Sequence, residues 1–389
     1  MKKFRNILIV LGLAVLIFTS FFSGYFAKEL RMRDVYSEPK DVDFSLLWEA
    51  YNLIKRNYIG ADDIDYQDLV HGSIGGMVKS LEDPYTVFFN PEDTKRFLED
   101  ADGQFEGVGM EVGIRDGNFQ VIAPLKGTPA ERSGLRSGDL ILEIDGNLTN
   151  NLSVEECVNL IRGPKGTEVV LTIKRDSWEE PREIKVKRDV IKIPSLDWEI
   201  IENDLAYINF YHFHKDAERE FSEMALEILN GSSKGIILDL RNNVGGYLDV
   251  AEALGGWFLE KGEPFVIQKT GTYEEVIYTK GAGRLSEYPM VVIINQGSAS
   301  ASEILAGALR DQKEVPIVGK TSFGKGSIQV LKYLIDGSSI KVTVAEWLTP
   351  KRNPISEKGL VPDFEIELKE DDETDYQLDK AVEILKEMI

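Results

Sequence analysis

Val291-Val292-Ile293-Ile294-Asn295-Gln296-Gly297-Ser298-Ala299-Ser300-Ala301-Ser302-Glu303-Ile304 reads as a strand that empties into a loop of very small residues and then starts a helix. An uninterrupted apolar run suits a strand covered on both faces, as in a parallel sheet. A serine in such a loop projects over the sheet edge. Its small neighbours let a substrate backbone approach, and the first amides of the helix point at a developing oxyanion. Ser300 or Ser302 followed by Glu303 also suits a plain helix N-cap, so this stretch alone leaves both readings open.

Outward from it, strands and helices alternate. Strands are expected over 205–210, 235–240, 265–270, 290–294, 317–318, 327–334 and 339–347, and helices over 215–230, 247–260 and near 302–309. That alternation predicts an α/β core with a largely buried sheet over residues 191–368. An acidic linker and a final helix follow over 369–389. Before the core, residues 103–190 carry short strands and dense turn signals around one helix at 153–161, a β-rich domain. Residues 31–102 are mainly helical, with Phe44, Leu47, Trp48, Tyr51 and Ile54 on one stripe. The fold class is therefore α/β and multidomain.

Residues 7–27 carry no charge and would span about 30 Å as a helix, the thickness of a bilayer core. With Lys2, Lys3 and Arg5 before it, residues 1–30 read as an uncleaved anchor or a signal segment, with the body extracytoplasmic. The 389 residues carry 45 Lys and Arg against 66 Asp and Glu, a net charge of -21. That charge repels a phosphate backbone and argues against nucleic acid as a partner. The one cysteine, Cys157, lies on the apolar side of the 153–161 helix and reads as core.

A serine hydroxyl needs a base. The three histidines sit outside glycine-rich loops: His71 in the helical region, His212 and His214 at a strand end. Lys325, in Thr321-Ser322-Phe323-Gly324-Lys325-Gly326-Ser327-Ile328-Gln329, stands between two glycines before an apolar strand. An amine in an apolar pocket loses its proton more readily and can accept one from serine; an exposed turn lysine is the plain alternative. Gly319 to Lys325 imitates a phosphate-binding loop, but Gly326 stands where the magnesium-binding hydroxyl is needed and a strand follows. A third segment, Leu238-Asp239-Leu240-Arg241-Asn242-Asn243-Val244-Gly245-Gly246, ends a strand in paired glycines that let backbone amides approach a ligand.

Together, in this order, the three segments closely resemble the C-terminal processing peptidases, over residues 44–389. The resemblance implies a PDZ-like domain at 103–190 and a crotonase-like protease core. It implies Ser300 as nucleophile, Lys325 as general base and Gln329 as the residue orienting that lysine. The amides of Gly246 and Ala301 would hold the oxyanion, with Asp311 at a supporting acidic position. Choosing Ser300 over Ser298 and Ser302 rests on this resemblance. Val244 stands where relatives often have proline. Gly107, Val108, Gly109 and Met110 would be the loop that binds a substrate's terminal carboxylate, and Arg162 a contact that gates the site. The expected partners are proteins or peptides with apolar C-terminal tails, and a homodimer is implied; no metal or organic cofactor is called for. Two other classes compete. A non-catalytic tail-binding adaptor would bind without cutting, and a crotonase-like acyl-CoA enzyme would turn over thioesters.

Overall fold

The computed structural model of the chain describes residues 42–115, 118–175, 177–368 and 374–389. Two units are present, residues 1–74 and 75–389. In the first, helix α1 (Ser45–Asn57) and a 3-10 turn (Ala61–Asp63) precede helix α2 (Tyr66–Lys79), whose end runs into the second unit. Tyr51 meets Tyr66 edge-on, with ring centroids 5.6 Å apart. Helix α1 forms where the periodicity predicts, but its stripe closes no core: none of its residues is buried, and Leu47, Trp48 and Ile54 are exposed. The expected membrane segment lies outside the described residues. Among the described residues no helix is long and apolar enough to cross a membrane.

The second unit opens with strand β1 (Val87–Phe89) and helix α3 (Pro91–Ala101). Asn90 caps α3 by accepting the Asp93 amide at 2.8 Å. Strand β2 (Gln104–Gly107) then leads into a small β-rich body. There, β3 (Met110–Arg115), β4 (Asn118–Pro124), helix α4 (Pro129–Arg132), β5 (Leu140–Ile144), β6 (Asn147–Leu148), helix α5 (Val154–Ile161), β7 (Glu168–Lys174) and β8 (Arg182–Lys187) follow in turn. Its sheet runs β3-β4-β5-β7-β8, all antiparallel, with β6 on β5. Helix α5 starts on a capping box in which Ser153 and Glu156 exchange hydrogen bonds with each other's amides. Cys157 faces inward with Ile141, Ile144 and Leu171 and is core, as expected; burial pushes its thiol up. The chain leaves through β9 (Asp189–Lys192), which pairs back onto β2.

The core sheet runs β10-β11-β12-β15-β16-β19, built from β10 (Leu196–Ile201), β11 (Leu205–Phe210), β12 (Gly235–Asp239), β15 (Met290–Ile294), β16 (Ile317–Gly319) and β19 (Phe364–Glu365). All neighbours are parallel except β10 and β11. Every residue of β12, β15 and β16 is buried, the reason these strands read as unbroken apolar runs. Helices α6 (Ala217–Asn230), α7 (Leu248–Phe258) and α8 (Ala301–Lys313) cover one face, and α9 (Tyr376–Met388) seats Ala381 and Leu385 against Ile237 and Val291 on the other. A second sheet, β1-β18-β13-β14 with β17 on β18, contains β13 (Pro264–Thr270), β14 (Tyr273–Tyr278), β17 (Ser327–Tyr333) and β18 (Ser339–Leu348).

Candidate active site

Three loops converge at the carboxyl ends of β12 and β15, the edge where parallel sheets hold ligands. Two of the three serines in the 295–302 loop are committed to holding it. Ser298 donates to the Leu240 carbonyl at 2.8 Å and accepts the Asn295 amide at 2.9 Å, while Ser302 donates to the Asn243 carbonyl at 2.9 Å. Both are fully buried. Ser300 is partly exposed and stands at φ 56°, ψ -115°, a conformation that L-residues avoid. Neighbouring bonds enforce that strain: Ala299 donates to the Asn243 carbonyl at 2.9 Å and Phe323 to the Ser298 carbonyl at 3.0 Å. Asn243 is itself fixed by donating to the Phe210 carbonyl at 2.6 Å.

Gly245 lies directly under this turn. At its φ of 99°, a Cβ would stand 2.7 Å from the Ala299 oxygen and 2.9 Å from the Ala301 nitrogen. Among the described residues, the amides of Gly246 and Ala301 donate to no protein acceptor, so both remain available to an oxyanion. Gly245→Ala is therefore expected to lower kcat/KM at least ~100-fold by displacing the Ser300 turn. A thermal melt run beside the kinetics separates this from unfolding.

The Lys325 loop and the Ser300 loop hold one carboxylate in common. Glu303, fully buried in the first turn of α8, accepts the Ser300 amide at 2.8 Å and the Lys325 amide at 3.0 Å through Oε2. Through Oε1 it accepts the Gly324 amide at 2.7 Å and the Ser322 hydroxyl at 2.5 Å. Burial pushes the Glu303 carboxyl up, and these four donors pull it back. Lys325 is half-buried; burial holds its amine below the ordinary lysine range, against the charge of Glu303. No hydrogen bond among the described residues joins the Lys325 amine to Ser300 or to Gln329. The amine instead stands 5.7 Å from the Tyr85 ring centroid, and the Gln329 side-chain nitrogen donates to Ser327 at 2.8 Å and Thr343 at 3.4 Å.

The remaining sequence candidates lie apart. Asp311 accepts the Lys351 amide at 2.8 Å and sits eleven residues along α8 from Ser300, about 16 Å by helical rise. It holds the turn after β18. Arg162, at the end of α5, pairs with Asp100 at 3.2 Å and covers the Phe105 ring, joining the β-rich body to α3. Gly107, Val108, Gly109 and Met110 form the turn between β2 and β3. Gly109 takes φ 76°, where Thr128 leaves no room for a Cβ, and its carbonyl accepts the Thr128 hydroxyl at 2.8 Å. Strand β3 is an edge of its sheet, and α5 packs beside it. Sequence reasoning missed Glu303 and Asn243. The spacing Ser300-x-x-Glu303 signalled the first, though only as a helix cap.

The chain matches the Peptidase family S41 model over residues 204–366, a PDZ domain model over 120–175 and the activating protease CtpB N-terminal domain model over 26–93. It is 37% identical over 330 residues to the carboxy-terminal processing protease CtpA of Bacillus subtilis, covering 84% of this chain and 70% of that protein. To CtpB of the same organism it is 34% identical over 330 residues, covering 84% and 68%. A solved photosystem II D1 C-terminal processing protease is 26% identical with a TM-score of 0.51, covering 83% of this chain and 92% of that one. With an N-terminal helical region, a PDZ domain and an α/β protease core in that order, the chain belongs to the carboxy-terminal processing proteases of peptidase family S41, serine peptidases acting on protein C-termini.

Proposed function

We propose that Ser300 and Lys325 form the catalytic dyad of an endopeptidase that takes hold of its substrate by the C-terminal tail. Ser300 Oγ attacks the scissile carbonyl carbon and its proton passes to the neutral Lys325 amine. The amides of Gly246 and Ala301 hold the oxyanion. Lys325 returns the proton to the leaving nitrogen as the C–N bond breaks. Water, deprotonated by the same amine, then releases the acyl group from Ser300 as a carboxylic acid. Gln329 would turn its carbonyl to the lysine ammonium. The observation that carries this reading is the shared carboxylate of Glu303: with both backbone amides on one oxygen, the Ser300 and Lys325 nitrogens are no further apart than two hydrogen bonds end to end.

The tail is captured by the amides of Val108, Gly109 and Met110 and adds as a strand to the open edge of β3, with apolar side chains toward α5. Residues 7–27 anchor the chain with its body extracytoplasmic, and the exposed stripe of α1 meets a second copy. Incubation with a protein ending in an apolar tail, followed by mass spectrometry, is expected to give discrete internal cuts. Amidating that tail should raise KM roughly tenfold or more, since it removes the charge the 107–110 loop would bind. Binding with no cutting under any condition would favour the adaptor reading and overturn this one.

A further inference from the structure

Tyr85 is the one aromatic ring against the Lys325 amine among the described residues, and it is carried by a turn fixed to the protease sheet. Asp83 accepts the Tyr85 amide at 3.0 Å and the Thr86 hydroxyl at 2.6 Å. Thr86 in turn accepts the Thr343 amide of β18 at 3.1 Å, and β1 continues the contact by pairing Val87 with Lys341. Thr343 is also where the Gln329 side chain is engaged. The 83–86 turn therefore reaches both the base and the residue assigned to orient it.

The charges around the Lys325 amine are Glu303 on α8, Lys341 on β18 and, beside Lys341, Asp83 on the turn itself. Lys341 is half-buried over the Phe89 and Phe97 rings, 5.6 and 5.4 Å from their centroids. Burial and Lys341 disfavour a second cation at this place; Glu303 favours it. The face of the Tyr85 ring adds to the favourable side, because an aromatic quadrupole attracts an ammonium and gains nothing comparable from a neutral amine.

We propose that Tyr85 is a positioning residue for the base: its ring holds the Lys325 ammonium in a resting place away from Ser300, so that the 83–86 turn sets how readily Lys325 becomes the neutral amine that accepts the serine proton. This rests on the Ser300–Lys325 reading. Displacement of the ring frees the amine to lose its proton and to swing to Ser300. The turn thus acts on the pH range of catalysis through the place where the Lys325 amine rests.

The test is the pH profile of kcat/KM together with a direct NMR titration of the Lys325 side-chain nitrogen, which needs no turnover, in full-length wild type, Tyr85→Phe, Tyr85→Leu and Thr86→Val. In Tyr85→Leu both midpoints are expected to fall by about half a pH unit or more, with a several-fold gain in kcat/KM on the acid side. Tyr85→Phe keeps the ring and the wild-type midpoint, and Thr86→Val, which loosens the turn, shifts in the same direction as Tyr85→Leu. Midpoints in Tyr85→Leu and Thr86→Val at or above wild type would overturn the inference, as would equal shifts in Tyr85→Leu and Tyr85→Phe. If Ser300→Ala or Lys325→Ala still cuts, the dyad reading itself has failed, whatever the Tyr85 variants do.

Discussion

Lys325→Met and Lys325→Arg are each expected to lower kcat/KM on a tail-bearing protein by a factor of about 10⁴ or more, with the fold intact. Methionine keeps the apolar stem and removes the base. Arginine keeps the charge and cannot give up its proton, so its activity stays lost across the whole pH range. Wild-type kcat/KM should rise with pH as the amine deprotonates through a value that burial holds below the ordinary lysine range. Stability runs on the same linkage. A lysine whose folded pKa is lowered binds fewer protons folded than unfolded between the two values, so stability rises with pH across that window, and the burial penalty is fully present below it. Lys325→Met should therefore melt no lower than wild type, with its advantage largest at acidic pH and gone above the ordinary lysine range. Combining it with Ser300→Ala should add little further loss, because a nucleophile and its base act as a unit. Activity in Lys325→Met within tenfold of wild type would remove the lysine from the chemistry.

The parts of the fold legible in the sequence are those where one physical demand dominates. β12 and β15 are buried on both faces and show as unbroken apolar runs. The glycines at 245 and 246 show because backbone must approach backbone there. Strand β8 (Arg182–Lys187) was not legible: it is a sheet edge with charged residues on its outer face, and such alternation resembles a solvated segment. The α1 stripe marked the helix and left its surroundings open, since periodicity reports an apolar face and not what covers it, and none of the helix is buried. At the site, tiny residues advertised the serine loop, but three serines two apart differ only in their hydrogen bonds. Leu240 and Asn243 occupy Ser298 and Ser302, contacts between segments more than fifty residues apart that no local pattern encodes. Glu303 was hidden for the opposite reason. Its spacing from Ser300 fits an ordinary capping box so well that nothing marks its further bonds to Ser322, Gly324 and Lys325.

Glu303→Ala is expected to be the most damaging single change at the site outside the dyad, lowering stability by about 3–5 kcal/mol and kcat/KM at least ~100-fold. The alanine leaves the amides of Ser300, Gly324 and Lys325 and the Ser322 hydroxyl without their acceptor. An unsatisfied buried donor costs about 1–3 kcal/mol; relaxation and water entry keep the four from adding in full. The kinetic loss has a separate origin: the serine and lysine loops are no longer fixed to one point, and small displacements of reacting groups are expensive. Glu303→Gln keeps one carbonyl but sets an amide donor against the amides that Oε1 or Oε2 now accepts, so it should fall between alanine and wild type in both readouts. Burial holds the Glu303 carboxyl above its ordinary value of 4.5. The folded state therefore binds the extra proton in the window above 4.5, and the stabilisation this brings is present below 4.5 and lost as pH rises through the raised value. The stability difference between wild type and Glu303→Gln should accordingly narrow across that window, measured by denaturant unfolding at matched ionic strength. If Glu303→Ala unfolds at the wild-type denaturant midpoint and cuts at the wild-type rate, the carboxylate does not bind the two loops together, and the proximity of Ser300 to Lys325 loses its structural cause.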